Sequence, residues 1–196
     1  YLGRYAGVDM PEPLAAEGTT RARFVEHKQR AAREGGATPD DAGAMRRNYS
    51  GAVTLIDDQI GEMLAILRRR GLREDTLIVY TSDHGEMLGD LGIVGKSVQY
   101  EPALRVPLIV SGPGVPHGQV SDALVEVFDV TPTLLDLVGL PVPAGLDARS
   151  FVGLLRGEAM AHRDVQIAQL PTTSCVRDGR YKAIINPNDR PELYDL

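Results

Sequence analysis

The sequence is poor in cysteine, in long apolar runs and in positive charge. Cys175 is the only cysteine among 196 residues, so no internal disulfide can form. No stretch approaches the ~20 apolar residues of a membrane helix, because Asp, Glu, Gly or Pro interrupts every run. Lys and Arg number 21 against 27 Asp and Glu, a net charge of −6. That balance argues against a nucleic-acid partner. It leaves room for a small anionic substrate held by one or two local cations. No internal repeat, low-complexity tract or signal peptide is present. The chain opens on Tyr1 rather than Met and stops abruptly at Leu196, which reads as a piece of a longer protein. What remains is ordinary for a folded chain: 43% hydrophobic and 24% charged residues exclude disorder. A chain of this length buries roughly 70% of its unfolded surface, enough for a real core.

Pro11, Pro13, Gly18, Gly35 and Gly36 punctuate a first segment of loop and short helix, with one charged surface helix over residues 21–34. A long helix is predicted from Pro39 to about Arg70. Thr38 suits its N-cap, Pro39 its first position, and Asp40 and Asp41 the positive end of its dipole. Met45, Tyr49, Val53, Ile56, Ile60, Met63, Leu64 and Leu67 recur at steps of three and four and form one apolar stripe. Gly71 ends it. Thr76–Thr81 then reads as a buried strand, Val106–Ser111 as a second, and Ala123–Val127 as a short third. A helix is expected from about Pro132 to Gly139, capped by Thr131 or Asp129. The tail, 165–196, reads as short strands, with Asp178-Gly179 as a hairpin turn. The fold class is therefore α/β, with a mixed or parallel central sheet flanked by helices. A small antiparallel C-terminal subdomain follows. The composition shift at Pro141–Gly145 divides the chain into 1–142 and 143–196.

The chemistry-bearing stretch is Ser82-Asp83-His84-Gly85-Glu86-Met87-Leu88-Gly89-Asp90, continuing to Gly95-Lys96. Asp83 and His84 follow a buried strand, where ligands of open α/β sheets bind. Asp offers an oxygen and His a nitrogen to a divalent cation. Lys96 supplies a positive charge for an anionic group. The plainer alternatives stay open at this point: an Asp after a strand is often a turn residue, and a lysine in a glycine-rich loop is often solvated.

Six segments in order resemble the sulfatase family of the alkaline-phosphatase superfamily. They are NYSGAVTLIDDQIG (48–61), TLIVYTSDHGEMLGDLGIVGK (76–96), YEPALRVPLIVSGPG (100–114), FDVTPTLLDLVGLP (128–141), VRDGRYKAI (176–184) and ELYDL (192–196). The resemblance implies that Asp83 and His84 ligate a divalent cation, usually calcium, with manganese or magnesium also compatible. It implies that Lys96, twelve residues after the His, binds the sulfate group and stabilises the ester oxygen during catalysis. It further implies a small-molecule or glycan sulfate ester as substrate. The closest alternative in the superfamily is a phosphonate monoester or phosphodiester hydrolase. An inactive metal- or anion-binding fragment is a third reading.

The same resemblance calls for features the chain lacks. There is no Cys/Ser-x-Pro-x-Arg motif from which a formylglycine nucleophile is made, and no early Asp-Asp metal pair. These are expected upstream of this chain. Cys175, in Ser174-Cys175-Val176-Arg177, reads as a small packed residue. Asp57 and Asp58 sit mid-helix, about 100° apart around its axis, and do not replace the metal pair. His27, His117 and His162 read as solvated. Relatives often carry His where Leu91 stands. Without the N-terminal members of the sheet, the isolated piece is expected to leave apolar surface uncovered and to be poorly stable.

Overall fold

The fold is that of a computed structural model, described for residues 1–15, 22–36, 41–187 and 189–196. The chain forms two compact units built from interleaved segments. The first comprises Tyr1–Arg73, His84–Arg105 and Asn186–Arg190; the second comprises Glu74–Asp83, Val106–Ile185 and Pro191–Leu196. Among the described residues, no helix is long and apolar enough to cross a membrane.

The first unit holds helices α1 (Arg23–Glu34), α2 (Ala42–Arg69) and the short α3 (Glu101–Leu104). The cap residues Thr38, Pro39 and Asp40 lie outside the described residues. The C-terminus of α2 falls where the sequence places it. Gly71 adopts φ +68°, its N–H bonds the Arg68 carbonyl at 3.0 Å and the Leu72 N–H bonds Leu67 at 2.9 Å. This pair of bonds satisfies carbonyls that the helix end leaves open. The apolar stripe exists, yet much of it faces outward: Tyr49 is 44% exposed, Val53 44%, Ile56 49% and Met63 62%. The start of the chain rests on α2 through polar contacts. The Tyr5 and Thr54 hydroxyls pair at 2.8 Å, and the Tyr1 hydroxyl donates to Asp58 at 2.8 Å. Asp58 thus serves the N-terminal segment.

The second unit holds two sheets. Strands β1 (Ile78–Thr81) and β2 (Leu108–Ser111) pair antiparallel, with Ile78 opposite Ser111 and Thr81 opposite Leu108. A mixed sheet includes such a pair, and no parallel pair occurs among the described residues. The third strand expected at Ala123–Val127 does not form. Only Leu124 bridges to Arg163, and Val127–Asp129 tightens into a 3-10 turn instead. The turn leads directly into α4 (Val130–Leu137), which ends before Gly139 as expected. A one-turn helix α5 (Val152–Leu155) follows.

The C-terminal sheet is a meander of β3 (Gln166–Leu170), β4 (Thr173–Arg177), β5 (Tyr181–Ile185) and β6 (Glu192–Asp195), every neighbour antiparallel. Side chains alternate faces along a strand. Cys175 and Ile184 sit opposite one another and are each 3% exposed, so the cysteine is a packed residue. The Asp178-Gly179 turn joins β4 to β5. Its aspartate holds it: the carboxylate accepts the N–H groups of Arg180 at 2.7 Å and Tyr181 at 2.6 Å. This is the local side-chain bonding that makes Asp a turn residue.

Candidate active site

Strand β1 delivers the chain to Asp83 and His84. Asp83 is exposed, at the end of the second unit's segment, and its Oδ1 accepts the Ser82 hydroxyl at 3.4 Å. His84 opens the first unit's loop and is half-buried. Its Nδ1 lies 2.8 Å from the Gly85 carbonyl oxygen. A carbonyl only accepts, so Nδ1 carries a proton and donates it to Gly85 O. Metal-binding histidines are commonly oriented in this way.

The loop that follows is fixed by its own backbone. Gly85 N–H bonds Ala103 O at 2.8 Å, Glu86 N–H bonds Pro102 O at 2.9 Å, and Met87 N–H bonds Gly95 O at 3.0 Å. Met87 and Ile93 are fully buried, and Val98 is 2% exposed, so the loop carries its own apolar floor. Distant segments clamp its outer turn. Arg46 of α2 pairs with Asp90 at 2.6 Å and donates to Leu88 O at 3.2 Å and Pro11 O at 2.8 Å. Leu14 N–H donates to Asp90 at 2.8 Å, and Gln29 of α1 donates to Leu91 O at 2.7 Å. These bonds hold the turn in which Leu88 and Leu91 adopt φ +47° and +57°; Ser97, further along the loop, adopts φ +69°. Non-glycine residues adopt such angles at a cost of order 1 kcal/mol or more each, and persist there only when the surroundings dictate it.

Lys96 lies between Gly95 and Ser97 in this loop, and is exposed. The structure therefore places His84 and Lys96 in one loop and Asp83 next to His84 in the chain. Among the described residues, no group of three or more His, Cys, Asp or Glu side chains converges to hold a metal. Asp83 and His84 suit a divalent cation in kind, as oxygen and nitrogen donors. They supply only part of a shell, since calcium takes six to eight ligands. His27 and His117 are exposed, as the sequence reading has them.

His162 is a correction. Its side chain is 8% exposed and its Nε2 lies 3.1 Å from Asp129 Oδ2. Asp129 is fully buried. Arg163 grips the same carboxylate with two nitrogens, Nε at 2.8 Å, while its guanidinium stacks 5.2 Å from the Phe128 ring centroid. The Arg149 N–H donates to Asp129 at 2.8 Å and the Glu126 N–H at 3.0 Å. Burial pushes the Asp129 carboxyl up, but the Arg163 hydrogen bond, the two amides and His162 together hold it at about 2. The FDVTPT stretch is thus a structural anchor, and the expected helix cap at Asp129 faces sideways into this network. The signal that sequence offers for it is an acidic residue inside an apolar run, together with the downstream His162-Arg163 pair.

The family model Sulfatase matches residues 11–140, and the model N-sulphoglucosamine sulphohydrolase, C-terminal, matches 89–196. The chain is 35% identical to the multifunctional alkaline phosphatase superfamily protein PehA of Trinickia caryophylli over 79% of its own length and 34% of that protein. It is 32% identical to choline-sulfatase of Rhizobium meliloti, over 81% of its length and 32% of that protein. The phosphonate monoester hydrolase SpPMH of Silicibacter pomeroyi superposes with a TM-score of 0.89 at 30% identity, over 98% of this chain and 45% of that one. The chain spans about a third of the curated relatives' length and less than half of that structure's. Its α/β fold is alkaline-phosphatase-like, and the chain belongs to the sulfatase family of the alkaline-phosphatase superfamily.

Proposed function

We propose that this chain is the C-terminal portion of a sulfatase that hydrolyses sulfate esters of small molecules or glycans. The observation that carries the reading is the ordered set Asp83, His84 and Lys96 inside the segment matched by the sulfatase family model. The family uses a divalent metal and a formylglycine nucleophile. The formylglycine belongs to a part of the protein outside this chain, so the fragment alone is inactive. Asp83 would hold the metal, calcium before manganese or magnesium, through its carboxylate, and His84 through Nε2. When bound, such a cation polarises the sulfate oxygens and favours the ionised nucleophile. Lys96 would contact the sulfate and offset the charge that builds on the ester oxygen as the S–O bond breaks. We place the join between core portion and C-terminal subdomain at Pro141–Gly145, a reading supported by all four meander strands lying beyond it.

A second reading, a phosphonate monoester hydrolase, is favoured by the TM-score of 0.89 over 98% of the chain. Both esters are tetrahedral and singly charged, so one lysine suits either. In the full-length protein, an aryl sulfate is expected to be turned over with kcat/KM at least about tenfold above an aryl phosphonate monoester. The opposite ranking establishes the second reading. Asp83→Ala is expected to lower bound metal and activity together, and full metal occupancy in that variant would refute the ligand assignment. Lys96→Ala is expected to lose about 10²–10³ in kcat with metal retained; wild-type kinetics remove its role.

A further inference from the structure

We propose that Glu86 is the positioning residue for Lys96. The proposal rests on the reading above, in which Lys96 contacts the substrate. Glu86 stands two residues after His84 and ten before Lys96. Its own backbone is anchored, the N–H bonded to Pro102 O at 2.9 Å. Its side chain then turns back across the loop, and Oε1 accepts the N–H of Gly95 at 2.5 Å. The Gly95 carbonyl accepts the Met87 N–H at 3.0 Å from the other side. The residue immediately before Lys96 is therefore gripped at both of its backbone groups, by two consecutive residues. Met87 is fully buried and cannot drift.

Lys96 itself is held by nothing comparable. Its side chain makes no hydrogen bond or ion pair among the described residues. Its aim is set by the backbone on either side, Gly95 at φ +85° and Ser97 at φ +69°. Of those two neighbours, Gly95 is the one with a side-chain clamp. Without the clamp the Gly95 N–H loses its acceptor, and the left-handed turn has one fewer bond enforcing it. The lysine at the end of that turn then samples a wider arc. Displacement of a catalytic group by about 1 Å costs on the order of 10²-fold in rate. The Glu86 carboxylate is engaged by backbone N–H groups of its own loop, and in this proposal it acts through Lys96.

Two conservative variants of the full-length enzyme separate reach from charge. Glu86→Gln keeps the reach and an acceptor oxygen but removes the charge. Glu86→Asp keeps the charge but falls one methylene short of Gly95. E86Q is expected to retain kcat within about 3-fold, and E86D to lose about 30-fold or more with little change in KM. In a Lys96→Ala background the same E86D change is expected to cost less than about 3-fold, because the residue it positions is gone. Amide exchange at Gly95 is expected to be faster in E86D than in the wild type. The reverse ranking, E86Q crippled and E86D active, overturns the proposal in favour of a charge role. An E86D loss that persists in full beside Lys96→Ala overturns it in favour of a general folding role. Wild-type kcat in Lys96→Ala alone sinks the underlying reading of Lys96, and the Gly95 exchange rate then still reports whether the clamp exists.

Discussion

Asp129→Ala is expected to lower the thermal midpoint of the full-length protein by about 3–5 °C, corresponding to about 3–5 kcal/mol. The size follows from what is left behind. Asp129 is fully buried and is the common acceptor for Arg163, His162 and the amides of Arg149 and Glu126. Removing it strands a guanidinium whose side chain is only 10% exposed. Glu126 remains 3.4 Å away and compensates part of that charge. The same carboxylate predicts a pH dependence. Its folded value of about 2 lies below the ordinary 3.8. The stabilisation is therefore fully present above pH 3.8 and is lost as pH falls through about 2. Each unit of depression is worth about 1.4 kcal/mol, so this group alone supplies on the order of 2 kcal/mol at neutral pH. Acid unfolding monitored in both proteins provides the check. A variant with the wild-type midpoint and the wild-type acid limb would show that the network is not an anchor.

Gly85→Ala is expected to destabilise the protein by about 3 kcal/mol and to abolish turnover even in the fraction that folds. A Cβ at residue 85 would lie 2.0 Å from the Pro102 carbonyl oxygen and 3.1 Å from its carbon. That oxygen is backbone at the start of α3 and cannot swing aside as a side chain would. Relief requires the two sides of the loop to part. Parting them breaks the Gly85–Ala103 bond at 2.8 Å and the Glu86–Pro102 bond at 2.9 Å. Both lie between His84 and the clamp on Gly95, so the loop loses its register. Gly61→Ala is the matched control. Gly61 lies in α2 with nothing within 4 Å of its would-be Cβ. Helix propensity alone should make that change neutral or stabilising by up to about 1 kcal/mol. Comparable unfolding midpoints for the two variants would contradict the steric argument.

Features that depend on close neighbours in the chain are legible from the amino-acid order alone. The α2 periodicity, its end at Gly71, the helix before Gly139 and the Asp178-Gly179 hairpin are all set by residues within a few positions of one another. Asp83, His84 and Lys96 lie within fourteen residues of chain, and their roles are proposed on the resemblance of that segment to sulfatases rather than on spacing. The misreadings share the opposite property. His162 reads as solvated because Asp129, its partner, is 33 residues away and comes to it only through folding. Ala123–Val127 has the composition of a strand, but only Leu124 finds a partner, at Arg163. The direction of β1 against β2 is a choice that a mixed sheet leaves open, and it depends on the path of the intervening chain rather than on strand composition. Glu86 carries no local signal, because a glutamate among glycines reads as a surface charge; its acceptor role needs Gly95 to come back across the loop.

The clamp on the outer turn of the loop has a temporal side. Its bonds join Asp90 to Leu14 across 76 residues, Leu91 to Gln29 across 62, and Asp90 to Arg46 across 44. Contacts of that span form after local ones, since the entropy of closing the intervening chain must be met first. The inner bonds between residues 85 and 103 span shorter stretches of chain and can form early. A nascent loop would thus acquire its hairpin-like shape before its left-handed turns are enforced. During synthesis the order favours the protein, because α1 and α2 emerge ahead of the loop that needs them. The residues that decide when the outer turn of the loop takes its final form are therefore Leu14, Gln29 and Arg46, which lie far from it in the chain.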